Sequence, residues 1–392
     1  MPTNVTGGVE SYRDVIDRIE GLARERGLSF DPVVFRLTDS DELAEVASMG
    51  LPNRFIHWYW GGAYKELTLQ QNKEVFSILE LVLNTSPSYA FLRGSNTYLQ
   101  NVLVIAHVFG HVDFFKNNHW YRKSNKNMLN EAELHARTIR KYEHGHGRER
   151  VEPLLDAVLT VSRTVNAFER NPAERRKLLM YYLEEKAPLE EWERHILAMI
   201  REEAEYFDLI QRTHIINEGW ATFVEAELLR EVLTSAEWAS VGVQLCNRPA
   251  PYTIGYTLFQ RVKSDRGFDS ALEMRSYYED VRLIDEVLTE EMVRALDIFV
   301  YDPKEKQKSY DLQQVKEMLI SQKLFKGEPY IEVEPGPHHR ELILVHRDEE
   351  RKLDSKRVGL FLKAVFSLWR NPVRLRANGK VYTYDRRGFS TT

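Results

Sequence analysis

The segment IAHVFGHVDFF sets His107 and His111 four residues apart within an apolar stretch. On a helix of 3.6 residues per turn both imidazoles leave one face. That spacing lets two ring nitrogens reach one zinc or iron ion at about 2.0–2.1 Å. In the zincin motif a glutamate directly follows the first histidine; here the position holds Val108, so the usual hydrolytic base is missing. Read alone, the pair fits equally well two helix histidines hydrogen-bonded inside a core. A carboxylate that can complete a ligand set stands in RTHIINEGWATFVEAELL, where Glu218 and Glu225 are seven apart and share a helical face. Burying an ionised glutamate is expensive unless a cation or metal meets it. Glu218 therefore coordinates a metal, pairs with an arginine, or sits at a helix start against the dipole. Joined to His107 and His111 it makes a two-histidine, one-carboxylate set, which binds zinc in hydrolases and ferrous iron in oxygenases. His214, one turn before Glu218, is a further donor or a surface histidine.

Asp113, two residues after His111, can hold a ligand imidazole or act as a base, and Glu225 offers a second base. In FIHWYWGG, His57, Trp58 and Trp60 suit the wall of a substrate pocket, or equally an aromatic core. His135, His144 and His146 lie in a charged, glycine-containing segment that reads as surface. No P-loop, dinucleotide fingerprint or nucleophile elbow is present.

The elements that must position these groups are mainly helical. Apolar residues recur every three or four positions over Ser11–Arg26, Asp41–Met49, Leu69–Leu83, Thr97–Phe115, Met128–Tyr142, Arg150–Ala167 and Glu174–Glu184. The same periodicity covers Leu189–Leu229, Pro251–Val262, Ala271–Asp280 and Glu290–Phe299. FDPVVFRLTD reads as a short strand or an extended lead into the next helix. The composition predicts a helical main domain over 1–300, a charged connector with a short helix over 301–330, and a small α+β domain over 331–392. That last domain should hold three or four strands, one helix, and a hairpin at Asn378-Gly379, a strong type I′ signal; its sheet is expected to be the only substantial one.

A chain of 392 residues exceeds what one core usually serves. Its 18 Phe, 19 Tyr and 7 Trp can fill a sizeable interior, and 43% hydrophobic against 29% charged residues is the balance of a folded globular protein. Acids and bases, 59 against 54, are dispersed, which gives no general attraction for nucleic acid or anionic lipid. The longest apolar run, near Asn101–Val112, is too short for a bilayer, which needs about 20 residues. A single cysteine, Cys246, and an N-terminus without basic and apolar regions read as cytoplasmic.

GLSFDPVVFRLTDSDEL, GLPNRFIHWYWGG, NTYLQNVLVIAHVFGHVDFFKNN, PLEEWERHILAMIREEAEYF, INEGWATF, PYTIGYTLFQ, YYEDVRLIDEVLTEEMV and LWRNPVRL together resemble the SpoVR-like family (stage V sporulation protein R). The resemblance implies a cytosolic bacterial protein of a family named for spore cortex formation in sporulation. It also marks a divergent branch. Phe223-Val224-Glu225 stands where the family reads two aromatics and a histidine, so Glu225 replaces that histidine. Gly110-His111-Val112-Asp113, HWYWGG and RGSNT depart from the family as well. The expected activity is that of a metal-dependent hydrolase acting on an amide or peptide-like bond. His107, His111 and Glu218 would be its metal ligands, for zinc or iron, and Asp113 or Glu225 its base. The alternatives are a non-haem iron enzyme using the same ligands, and a regulatory or scaffold protein that binds protein partners through the C-terminal domain.

Overall fold

The computed structural model describes residues 4–5, 8–39, 41–43, 50–51, 54–58, 80–246, 248–302, 306–325, 331–334, 341–346, 353, 355–377 and 379–392. The chain is mainly helical, as its periodicity predicts. It divides into two compact units, each assembled from two stretches: Met1–Asn130 with Arg212–Ile320, and Glu131–Gln211 with Ser321–Thr392. This division by compactness interleaves the chain, unlike the linear boundaries that composition suggests at 300 and 330.

The first unit carries both motif-bearing helices, Tyr98–Asn117 and His214–Val232. The former starts in a reciprocal cap, with Thr97 accepting from the Gln100 N–H while Gln100 accepts from the Thr97 N–H. Every residue from Asn101 to Phe115 is buried. A helix apolar all round belongs inside a core rather than on its surface, and Ile215–Leu229 is likewise buried almost throughout. Glycines decide how closely these helices approach. A Cβ on Gly110 would stand 2.5 Å from the Ala221 Cα, and one on Gly219 2.3 Å from the Gly255 Cα on helix Ala250–Arg266. No side chain fits at either crossing, so the backbones touch there.

Two expectations need correction, one within this unit and one where the chain re-enters it at Arg212. A four-stranded sheet lies within it, formed by β1 (Asn4–Val5), β2 (Val33–Thr38), β3 (Glu80–Leu83) and β4 (Ser88–Arg93) in the order β1-β2-β4-β3. The C-terminal sheet is therefore not the only one. β2 is the strand that FDPVVFRLTD suggested, pairing in parallel with β1 and β4. β3 ends the stretch read as helix Leu69–Leu83 and pairs antiparallel with β4, Val82 opposite Ala90; residues 69–79 lie outside the description. Four-residue ELVL has no length in which to show a period of two, and its apolar residues continue the helical count of the preceding segment. The second correction is at Leu189–Leu229, which is two helices, Glu191–Arg212 and His214–Val232, broken at Thr213. No Pro or Gly marks that break. Asp280 makes it possible, because its carboxylate accepts the N–H groups of Ile215 and Ile216 at 2.9 and 2.8 Å and so satisfies donors at a helix start. Helix Ser235–Cys246 was not anticipated.

In the second unit β5 (Ile331–Val333), β6 (Leu342–His346), β7 (Val373–Ala377), β8 (Lys380–Asp385) and β9 (Gly388–Thr391) form a sheet in the order β9-β8-β7-β6-β5. Helix Ser355–Trp369 joins β6 to the parallel β7, the crossover that a parallel pair requires. Ala377 pairs with Lys380 across the expected hairpin, Gly379 has φ 71°, and Asn378 lies outside the description. His135, read as surface, is buried and holds Glu203 at 3.0 Å through Nδ1. His144 is exposed, and His146 stacks on Trp192 at 4.4 Å.

Candidate metal centre

Because Gly110 brings the two helices together, the faces carrying His107 and His111 on one and Glu218 on the other meet. One donor atom from each of the three residues lies within 4.8 Å of the other two. Glu218 Oε2 is 3.6 Å from His107 Nε2 and 3.4 Å from His111 Nε2. The rings of His107 and His111 meet edge to face at 4.6 Å. Both imidazoles are buried, and Glu218 Oε2 is buried without a hydrogen bond among the described residues.

The outward nitrogens are already engaged. His111 Nδ1 is 3.0 Å from the side-chain oxygen of Asn217, the residue before Glu218. His107 Nδ1 is 2.9 Å from Glu225 Oε2 and 3.0 Å from Arg248 Nη1. A carboxylate only accepts and a guanidinium only donates, so His107 Nδ1 donates to Glu225 in one tautomer and accepts from Arg248 in the other; a metal held at Nε2 requires the first. With each Nδ1 engaged, Nε2 is the ring atom left facing Glu218, the arrangement of a metal-ligating histidine whose other nitrogen is held by a neighbour. Tyr252 stacks on His107 at 5.7 Å and Phe115 on His111 at 5.9 Å, walling the centre with aromatic surface. Burial works to raise the Glu218 carboxyl; the imidazoles of His111 and His107, with His214 beyond, outweigh it and hold the group well below the usual carboxylate range. No arginine pairs with Glu218 among the described residues. His214 Nε2 lies 4.0 Å from Glu218 Oε1, and its side chain is 44% exposed.

Two imidazole nitrogens and one carboxylate oxygen, buried and convergent with no lysine or arginine between them among the described residues, suit a divalent ion of the zinc or iron type. The sequence motifs identified all three. They did not reveal Arg248, whose guanidinium grips Glu225 with both terminal nitrogens at 2.8 and 2.9 Å and donates to Thr222 at 3.3 Å. Nothing in CNRPAP marks it as part of a site.

The other expected site residues lie as follows. Asp113 is fully buried and turned to another side of its helix, where it accepts from Trp220 Nε1 at 2.9 Å, the Ser29 N–H at 2.8 Å and Asn117 at 3.0 Å. Arg275 Nε is 3.0 Å from its Oδ2. Burial pushes the Asp113 carboxyl up to about 6, against the opposing pull of Arg275 and the three hydrogen bonds. Glu225 is brought to the outward nitrogen of His107. His57 is buried against Phe55 and Trp58 is 64% exposed, while Trp60 lies outside the description.

Comparison with known proteins bears on this arrangement. The family model described as SpoVR like protein matches residues 8–178 and 163–326. The uncharacterized protein YcgB of Escherichia coli (strain K12) is 26% identical over 325 residues, covering 65% of this chain. The match spans 63% of that relative's length. No solved structure matches, and among the described residues no helix is long and apolar enough to cross a membrane.

Proposed function

This chain belongs to the SpoVR-like family, and on that premise we propose that it holds one divalent metal ion and hydrolyses an amide or peptide-like bond. The observation that carries the proposal is the convergence of His107, His111 and Glu218 with their outward atoms already held. A divalent ion held there would supply Lewis acidity, making water nucleophilic near neutral pH and polarising a carbonyl. The protein's part is positioning. Asn217 and Glu225 orient the two imidazoles, Asp280 fixes the first turn of the helix bearing Glu218, and Tyr252 and Phe115 exclude water from two sides. Glu225 and Asp113 are each held by an arginine, so His214, on the exposed side of Glu218, takes the proton in this scheme. His57 and Trp58 are assigned to substrate binding in this scheme, as the sequence expects of them and of Trp60, and the protein works in the cytoplasm, in line with a family linked to spore cortex formation.

The test is to load purified, untagged protein with zinc and follow amine release from peptides and from peptide-bearing cell-wall fragments. Release that His107→Ala and Glu218→Ala abolish supports hydrolysis. One observation favours a second chemistry at the same donors: Val108 stands where a zincin has its glutamate, and both other candidate bases are tied to arginines. If the zinc protein releases no amine while the ferrous protein consumes dioxygen, the centre is a non-haem iron site.

A further inference from the structure

The centre contains a feature that ligand identity does not require. Glu225 is 0% exposed on its side chain and Arg248 10%, and the guanidinium meets the carboxylate in a two-pronged pair. Two charges taken this far from water need close geometry to offset their desolvation. Here the pair stands directly behind the His107 imidazole, with Glu225 Oε2 shared between Arg248 Nη1 at 2.8 Å and His107 Nδ1 at 2.9 Å, and with Arg248 Nη1 itself 3.0 Å from that Nδ1, so that the carboxylate and the guanidinium compete for the ring's tautomer. Tyr252 closes the arrangement, its ring 5.5 Å from the Arg248 guanidinium carbon and stacked on His107. Arg248 comes from the segment before helix Ala250–Arg266, which Gly255 seats against Gly219, one residue from Glu218.

We infer that Glu225 and Arg248 are positioning residues that act as one unit: Arg248 fixes the Glu225 carboxylate, and Glu225 fixes the ring and the Nδ1–H tautomer of His107. Neither touches the ion. Without Arg248 the carboxylate can rotate about its terminal bonds and no longer presents Oε2 to Nδ1; without the Glu225 carboxylate the ring can adopt the other tautomer, which places a hydrogen on the ligating nitrogen. The inference rests on the metal reading above. It adds that removing an outer hydrogen bond of this kind weakens metal binding about 10–100-fold.

Two measurements test it on the full-length protein. Nitrogen-15 spectra of the histidine rings in metal-free protein should show His107 in the Nδ1–H tautomer, and Arg248→Lys, which keeps the charge but cannot make the two-pronged contact, should lose that preference. Cobalt(II) titration should then give one ion per chain in the wild type, about 10–100-fold weaker binding in Glu225→Gln and Arg248→Lys, and altered visible absorption of the bound cobalt. A merely structural pair would lower the melting temperature and leave that absorption unchanged. Wild-type protein that binds no cobalt defeats the metal reading, and this inference with it. Wild-type binding with equal affinity and identical spectra in both variants, or His107 as the Nε2–H tautomer in the wild type, overturns this inference alone.

Discussion

Asp113 and His111 leave the same helix roughly half a turn apart, and each meets the helix His214–Val232: Asp113 at Trp220, His111 at Glu218. On the Asp113 side the polar groups close on one another. The carboxylate takes three hydrogen bonds and a guanidinium, and Arg275 also lies 5.4 Å from the Trp220 ring. On the His111 side the outward nitrogens have their partners, and in the middle two Nε2 atoms and one carboxylate oxygen face each other at 3.4 and 3.6 Å with no lysine or arginine between them among the described residues. The same two backbones, held together at Gly110, thus carry a lock on one face and a receptacle on the other. Burial of a polar cluster alone does not indicate function; what separates the two is whether the cluster is complete without a guest.

If that contrast holds, damage to the two faces should separate cleanly. The largest effect is expected from Arg275→Met, which leaves the Asp113 charge buried and uncompensated and should lower stability by about 3–5 kcal/mol. Denaturant unfolding measures the loss, and metal bound per folded molecule should not change. A loss below about 1 kcal/mol would mean the lock is not one. Gly110→Ala comes next, since the new Cβ meets backbone at 2.5 Å. It should cost about 1–3 kcal/mol and, unlike Arg275→Met, also weaken metal binding, because it spreads both faces at once. Asp280→Ala removes the acceptor for two N–H groups at the start of the Glu218 helix and should cost about 1 kcal/mol. Its metal affinity should fall by a smaller factor than in Gly110→Ala, read by the same competition titration.

The receptacle was more legible in the sequence than the lock or the sheet, for physical reasons. His107 and His111 at four-residue spacing, and Glu218 inside an apolar helical run, announce themselves because helical periodicity converts spacing into direction. Three partners of Asp113, namely Ser29, Trp220 and Arg275, are far away in the chain, and no local pattern links them; the sequence therefore offered the aspartate as a base without showing the groups that surround it. Arg248 was hidden for the same reason, reaching His107 from 141 residues away. The sheet of the first unit was obscured because its parallel pairs join β2 to strands before and after it at long range, and because β3 is short and apolar. The break at Thr213 went unseen because the residue that satisfies it, Asp280, is supplied by another helix.

The most direct test of the central claim is the metal content of untagged protein, wild type beside His111→Ala, measured by elemental analysis together with the unfolding curve of each. The contrast drawn above predicts about one zinc or iron per wild-type chain and none retained by His111→Ala. The variant's stability should fall by no more than about 1–2 kcal/mol, the cost of leaving Asn217 without its partner. Wild-type protein that is fully folded and free of metal, and that takes up none when zinc or ferrous iron is supplied, would contradict it, as would a His111→Ala protein that keeps its ion.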